Sequence, residues 1–126
     1  MTALHLAQQA YSAPTQARTR PPRATEYAAF ARVTARIKAA DTGSARDFPA
    51  LVAALDENRK LWRLLAIDVA DRDNSLPRDL RARIFYLYEF TDHHTSRVLA
   101  CHADTGPLVE INTAIMRGLA KSEAVA

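Results

Sequence analysis

Leu51, Leu55, Asn58, Trp62, Leu65 and Val69 follow one another at spacings of 4, 3, 4, 3 and 4. That rhythm returns to one side of an α-helix and cannot serve a strand, whose sides alternate every second residue. A helix with such a seam must lay it against other helices. One polar group interrupts the stripe: the amide of Asn58, one turn from the chain's only tryptophan. Left without partners in a core, an amide is destabilising by about 1–3 kcal/mol. Asn58 therefore needs a hydrogen-bonding group from another element.

The rest of the chain supports an all-α reading. Three glycines in 126 residues and 7% aromatics favour helices over sheets, and 48% apolar content suffices for one core. A short helix is expected over residues 3–11. A connector follows from Ser12 to Pro22, where Pro14, Pro21 and Pro22 oppose helix. A second helix spans Ala24 to Ala40, with Tyr27, Phe30, Thr34 and Ile37 on its inner face. After a loop from Asp41 to Asp47, the seam helix runs from Phe48 to Ala70, with Asp47 as N-cap and Pro49 in its first turn. A polar turn from Asp71 leads to a helix from Leu76 to Cys101, capped by Asn74 or Ser75, with Pro77 and Asp79 in its first turn. Its seam is Leu80, Ile84, Leu87, Thr91, His94, Val98 and Cys101. A last helix covers Pro107 to Ala120 with Leu108, Ile111, Ile115 and Leu119 inward, and the tail from Lys121 is expected to fray. The organisation is thus residues 1–23 as short helix and basic connector, 24–120 as a bundle of four main helices, and 121–126 as tail.

The short connector makes the third and fourth helices an antiparallel hairpin. Folded about residue 73, it sets Leu65 against Leu80, Trp62 against Ile84, Asn58 against Leu87, Leu55 against Thr91, Leu51 against His94 and Phe48 against Val98. Because Leu87 has no side-chain hydrogen bond to offer, Asn58 must be met by a third element. Asn112 on the last helix is the expected partner.

Charge is uneven. Residues 1–40 hold six basic side chains against one acid, Glu26; the remainder holds eleven basic and thirteen acidic. A basic arm is compatible with RNA, with Arg18, Arg20, Arg23, Arg32 and Arg36 on phosphates and Tyr27 or Phe30 stacking on bases. Those aromatics lie on the apolar stripe, however, and core positions suit them better. His93, His94, Cys101 and His102 lack the paired spacing of a zinc site, so no metal or other cofactor is expected. No phosphate loop, nucleophile elbow or paired His–Glu motif is present, which argues against an enzyme. The amino terminus lacks the basic start and apolar run of a signal peptide, and no segment is a membrane span. A soluble cytoplasmic protein is expected.

Asn58-Arg59-Lys60-Leu61-Trp62, then Asp68, Asn74-Ser75-Leu76-Pro77 and Leu80-Arg81-Ala82, resemble the alphaproteobacterial family of flagellar biosynthesis regulators called FlaF. His94-Thr95, Pro107-Leu108-Val109-Glu110-Ile111-Asn112 and Ile115-Met116-Arg117-Gly118-Leu119 extend the resemblance, which covers residues 24–120. It implies a small cytoplasmic protein acting on flagellin production or export, as a flagellin-binding chaperone or adaptor. The flagellin regulator FlbT is a second implied partner, and regulation through flagellin mRNA is the alternative. The family offers no catalytic or cofactor residues. The candidate partner-binding residues are Asn58, Arg59, Trp62, Arg63, Arg81 and Asn112, pictured as a groove with an amide at its floor and basic walls.

Overall fold

Pro22 opens the first helix, where its fixed φ is already helical and its missing N–H is no loss. In the computed structural model, the backbone of residues 22–125 and the side chains of residues 26–118 are described. The short helix expected over 3–11, residues 12–21 of the connector and the side chains of Arg18, Arg20 and Arg23 lie outside the described residues; Pro22, expected to end the connector, is instead the first residue of the helix. Among the described residues there are four α-helices and no strand: α1 (Pro22–Ala40), α2 (Phe48–Ala70), α3 (Arg78–Leu99) and α4 (Gly106–Val125). A single 3-10 turn, Ala45–Asp47, precedes α2. Helix α1 packs against both α4 and α2, α2 packs against α3, and α3 and α4 touch little.

Helix α2 is the centre of the bundle. All six seam residues from Leu51 to Val69 are buried, and Ala54, Leu61 and Ala66 widen the stripe. Phe30, Val33 and Ile37 of α1 meet it, with Phe30 set edge-on to Trp62 at 5.4 Å between ring centres. Leu108 of α4 completes this side of the core. The α3 contribution is thinner. Ile84, Thr91, His94 and Val98 of its expected seam are buried, together with Thr95. Leu87 is only half-buried, and Leu80 and Cys101 are exposed. On α1, Phe30, Thr34 and Ile37 are buried as expected, but Tyr27 is 41% exposed.

Several helix ends differ from the sequence expectation. Asp47 occupies the N-cap of α2, yet its carboxylate makes no capping bond. It accepts from the Thr42 hydroxyl at 2.7 Å instead, which closes the preceding loop. Helix α3 starts at Arg78, two residues later than expected, with Pro77 at its N-cap. Neither Asn74 nor Ser75 caps it: Asn74 Oδ1 accepts from Leu76 N at 2.9 Å, a local turn that holds Leu76 out of the helix. At its other end α3 stops at Leu99, because Cys101 takes a left-handed φ of 65°. The N–H of Cys101 reaches Val98 O and that of His102 reaches Arg97 O, the bond pair of a Schellman stop. Helix α4 runs on to Val125 through the expected tail, whose Lys, Ser, Glu and Ala tolerate helix.

Two arginine side chains of the hairpin reach past the level that the expected pairing gives their own backbone. Arg59 meets the Asp92 carbonyl at 2.7 Å and the Ser96 hydroxyl, whereas the expected register sets it near residues 86 and 87. Arg81 reaches the carbonyls of Val69 and Asp71 at 3.4 and 3.2 Å, beyond the expected level of residues 64 and 65. Helical arginines lean toward their own amino terminus, which carries both tips in the observed directions.

Candidate partner-binding face

Asn58, Trp62 and Asn112 are each 0% exposed and meet in one polar node. Trp62 Nε1 donates to Asn112 Oδ1 at 2.9 Å. The Asn112 amide nitrogen donates to Asn58 Oδ1 at 2.9 Å and to Thr34 Oγ1 at 3.0 Å. The expected pairing of Asn58 with Asn112 is therefore present, and it ties α4 to α2 and α1. Asn112 is the hub: it satisfies three other side chains. Asn58 is less complete, since its amide nitrogen is buried without a partner. The amide is not a groove floor. It is closed inside the bundle, as are the indole and the Asn112 side chain.

The arginines are placed differently. Arg32 and Arg36 of α1 both pair with Glu57 of α2, Arg32 at 2.6 Å, on the α1 side of the central helix. On the α3 side, Arg59 also lies 3.1 Å from the Asp92 carboxylate. Together with Arg81 on the α2 carbonyls, it braces the hairpin at two levels. Arg81 sits where the carbonyl ends of α2 favour a cation. Arg63 is exposed between the two braces and makes no ion pair among the described residues.

Helical spacing completes this surface. Arg59, Arg63 and Ile67 succeed one another at intervals of four on α2. Arg81, Phe85, Tyr88 and Asp92 do so at intervals of 4, 3 and 4 on α3. Because the braces join these two stripes at both ends, Arg63, Ile67, Phe85 and Tyr88 share the face between them. Ile67 is 63% exposed and Phe85 38%, and Phe85 stands edge-on to Tyr88 at 5.7 Å. The opposite side of α3 carries Tyr86, also 63% exposed.

His94 has an internal role. It is buried, its Nε2 donates to the Asp104 carbonyl at 2.8 Å, and its ring stacks on Phe90. His93 is exposed. Among the described residues no group of His, Cys, Asp or Glu is arranged to hold a metal ion, and no helix is long and apolar enough to cross a membrane.

The family model for flagellar protein FlaF matches residues 7–119. The chain belongs to the FlaF family. The match covers nearly the whole chain and begins well before residue 24, where the motif resemblance begins. Comparison with curated proteins and with solved structures gives no match. Membership places the chain in the flagellar system and gives its helical bundle a context.

Of the candidate residues, then, Asn58, Trp62 and Asn112 form the interior node, Arg59 and Arg81 line the hairpin face while bracing it, and Arg63 stands free on it. Sequence reasoning missed Thr34, Ile67 and Phe85. A signal existed for Thr34, a hydroxyl on an apolar stripe that needs a partner for the same reason as Asn58. For Ile67 and Phe85 the signal is that both fall off the 3/4 seams of their helices.

Proposed function

We propose that this FlaF-family protein acts as a flagellin-binding chaperone or adaptor in the cytoplasm, holding flagellin before export, with FlbT as a second partner. The reading is non-enzymatic and needs no cofactor. The observation that carries it is the α2–α3 face, where Ile67 and Phe85 remain on the surface beside Arg63, which makes no ion pair among the described residues. Apolar side chains grouped with a cation on a braced pair of helices suit a helical partner laid along them. Flagellin ends are helical and aggregation-prone before assembly, which makes them the natural occupant of such a face.

Titrating purified flagellin into the full chain by calorimetry tests the proposal. Saturable binding at micromolar concentrations is the expected result. No binding at those concentrations, alone or with FlbT present, overturns it. The RNA reading has less to draw on: Phe30 is fully buried and Arg32 and Arg36 are engaged with Glu57.

A further inference from the structure

Charge on the α2–α3 face says more about what it takes. Arg63 has no carboxylate partner among the described residues, and Arg81 is bonded only to backbone carbonyls at the end of α2. The Nε of Arg81 is buried with no hydrogen-bond partner at all. Asp92 is matched by Arg59. The face therefore carries Arg63 and Arg81 beside the apolar Ile67 and Phe85, against one exposed carboxylate, Glu89, a turn beyond Phe85. On the α1 side of α2, by contrast, Arg32 and Arg36 are both answered by Glu57.

We infer that the α2–α3 face binds an amphipathic helix whose apolar stripe is flanked by acidic side chains, with Arg63 as its principal anchor. The apolar stripe covers Ile67 and Phe85 and packs against the Phe85–Tyr88 pair. Glutamates or aspartates beside that stripe take the free donors of Arg63 in a charge-assisted, two-bond geometry. Complementary charge of this kind fixes the direction in which the helix lies and speeds its arrival. The inference rests on the proposed flagellin-binding role of the same face and states which segments of a partner it selects.

The test uses two fluorescent synthetic helices, identical in their leucine stripe and flanked by glutamate in one and lysine in the other. Each is titrated against the full chain by fluorescence anisotropy. The glutamate helix is expected to bind at least about tenfold more tightly than the lysine helix, and to weaken as salt is raised. Arg63→Glu should reverse that preference, and Ile67→Ser should weaken both helices. Circular dichroism checks that each variant remains folded; both positions are on the surface. Equal binding of the two helices, or no effect of Arg63→Glu on the preference, overturns the inference. So does self-association of the chain through this face, seen by sedimentation and abolished by Ile67→Ser. The two readings fail separately. Flagellin binding that is indifferent to Arg63→Glu removes the acidic-helix inference and leaves the chaperone role. Glutamate-helix binding without flagellin binding does the reverse.

Discussion

The two sides of helix α2 solve opposite problems. Toward α1 and α4 it is sealed: Phe30 packs on Trp62, and the Trp62–Asn112–Asn58–Thr34 node fixes how the last helix lies on the first two. Toward α3 it is braced at two levels by arginines, with Ile67 and Phe85 left outside between them. The first side spends its polar groups on internal register. The second keeps apolar area on the surface beside a cation that has no ion pair among the described residues. A domain held by only about 5–15 kcal/mol gains rigidity from the first and leaves the second open to a partner. The lesson is that the conspicuous amide belongs to the frame, and the less conspicuous Arg63 and Ile67 belong to the exposed surface proposed to bind.

Substitutions in the sealed side should show the largest effects. Trp62→Ala empties a fully buried indole site and should destabilise the fold by about 3–5 kcal/mol, measured by urea unfolding. Asn112→Ala strands the Trp62 N–H, the Asn58 carbonyl oxygen and the Thr34 hydroxyl together, and should cost about 3 kcal/mol. Asn58→Leu should cost less, about 1–2 kcal/mol, because Asn58 makes one bond in the node and its amide nitrogen makes none. If Asn58→Leu proves worse than Asn112→Ala, the hub has been placed on the wrong residue.

The braced side should respond more mildly. Arg59→Ala loses its bond to the Asp92 carbonyl and should cost about 1–2 kcal/mol, with no change in the unfolding of the α1–α4 contact. Smallest, and of opposite sign, is Cys101→Gly. Cys101 holds a left-handed φ at the stop of α3, where glycine is free of the side-chain clash. The change should raise stability by up to about 1 kcal/mol, read as a higher midpoint in the same unfolding experiment.

Much of the frame is legible in the sequence because it rests on periodicity and on the need to satisfy buried polar groups. The spacing of the α2 seam identifies the central helix, and the lone amide in it calls for Asn112. The ends of α3 are harder to read. Asn74 can cap a helix or make a local turn with Leu76, and both use the same side-chain oxygen, so spacing alone does not choose between them. The proposed face is legible in its arginines, Arg59, Arg63 and Arg81, and less so in its apolar part, where Ile67 and Phe85 are marked only by falling off the helix seams. The family motifs supply the flagellar context, but they are concentrated in the frame. They include Asn58 and Trp62, which the bundle encloses, and also Arg59 and Arg81, which brace the hairpin face.

The separation of frame from face is tested most directly by the double variant Arg63→Glu/Ile67→Ser, with flagellin affinity and melting temperature measured on one preparation. Separation predicts that affinity falls at least about tenfold while the melting temperature moves by no more than about 3 °C. Unchanged affinity, or a loss that appears only with a matching fall in melting temperature, would contradict it.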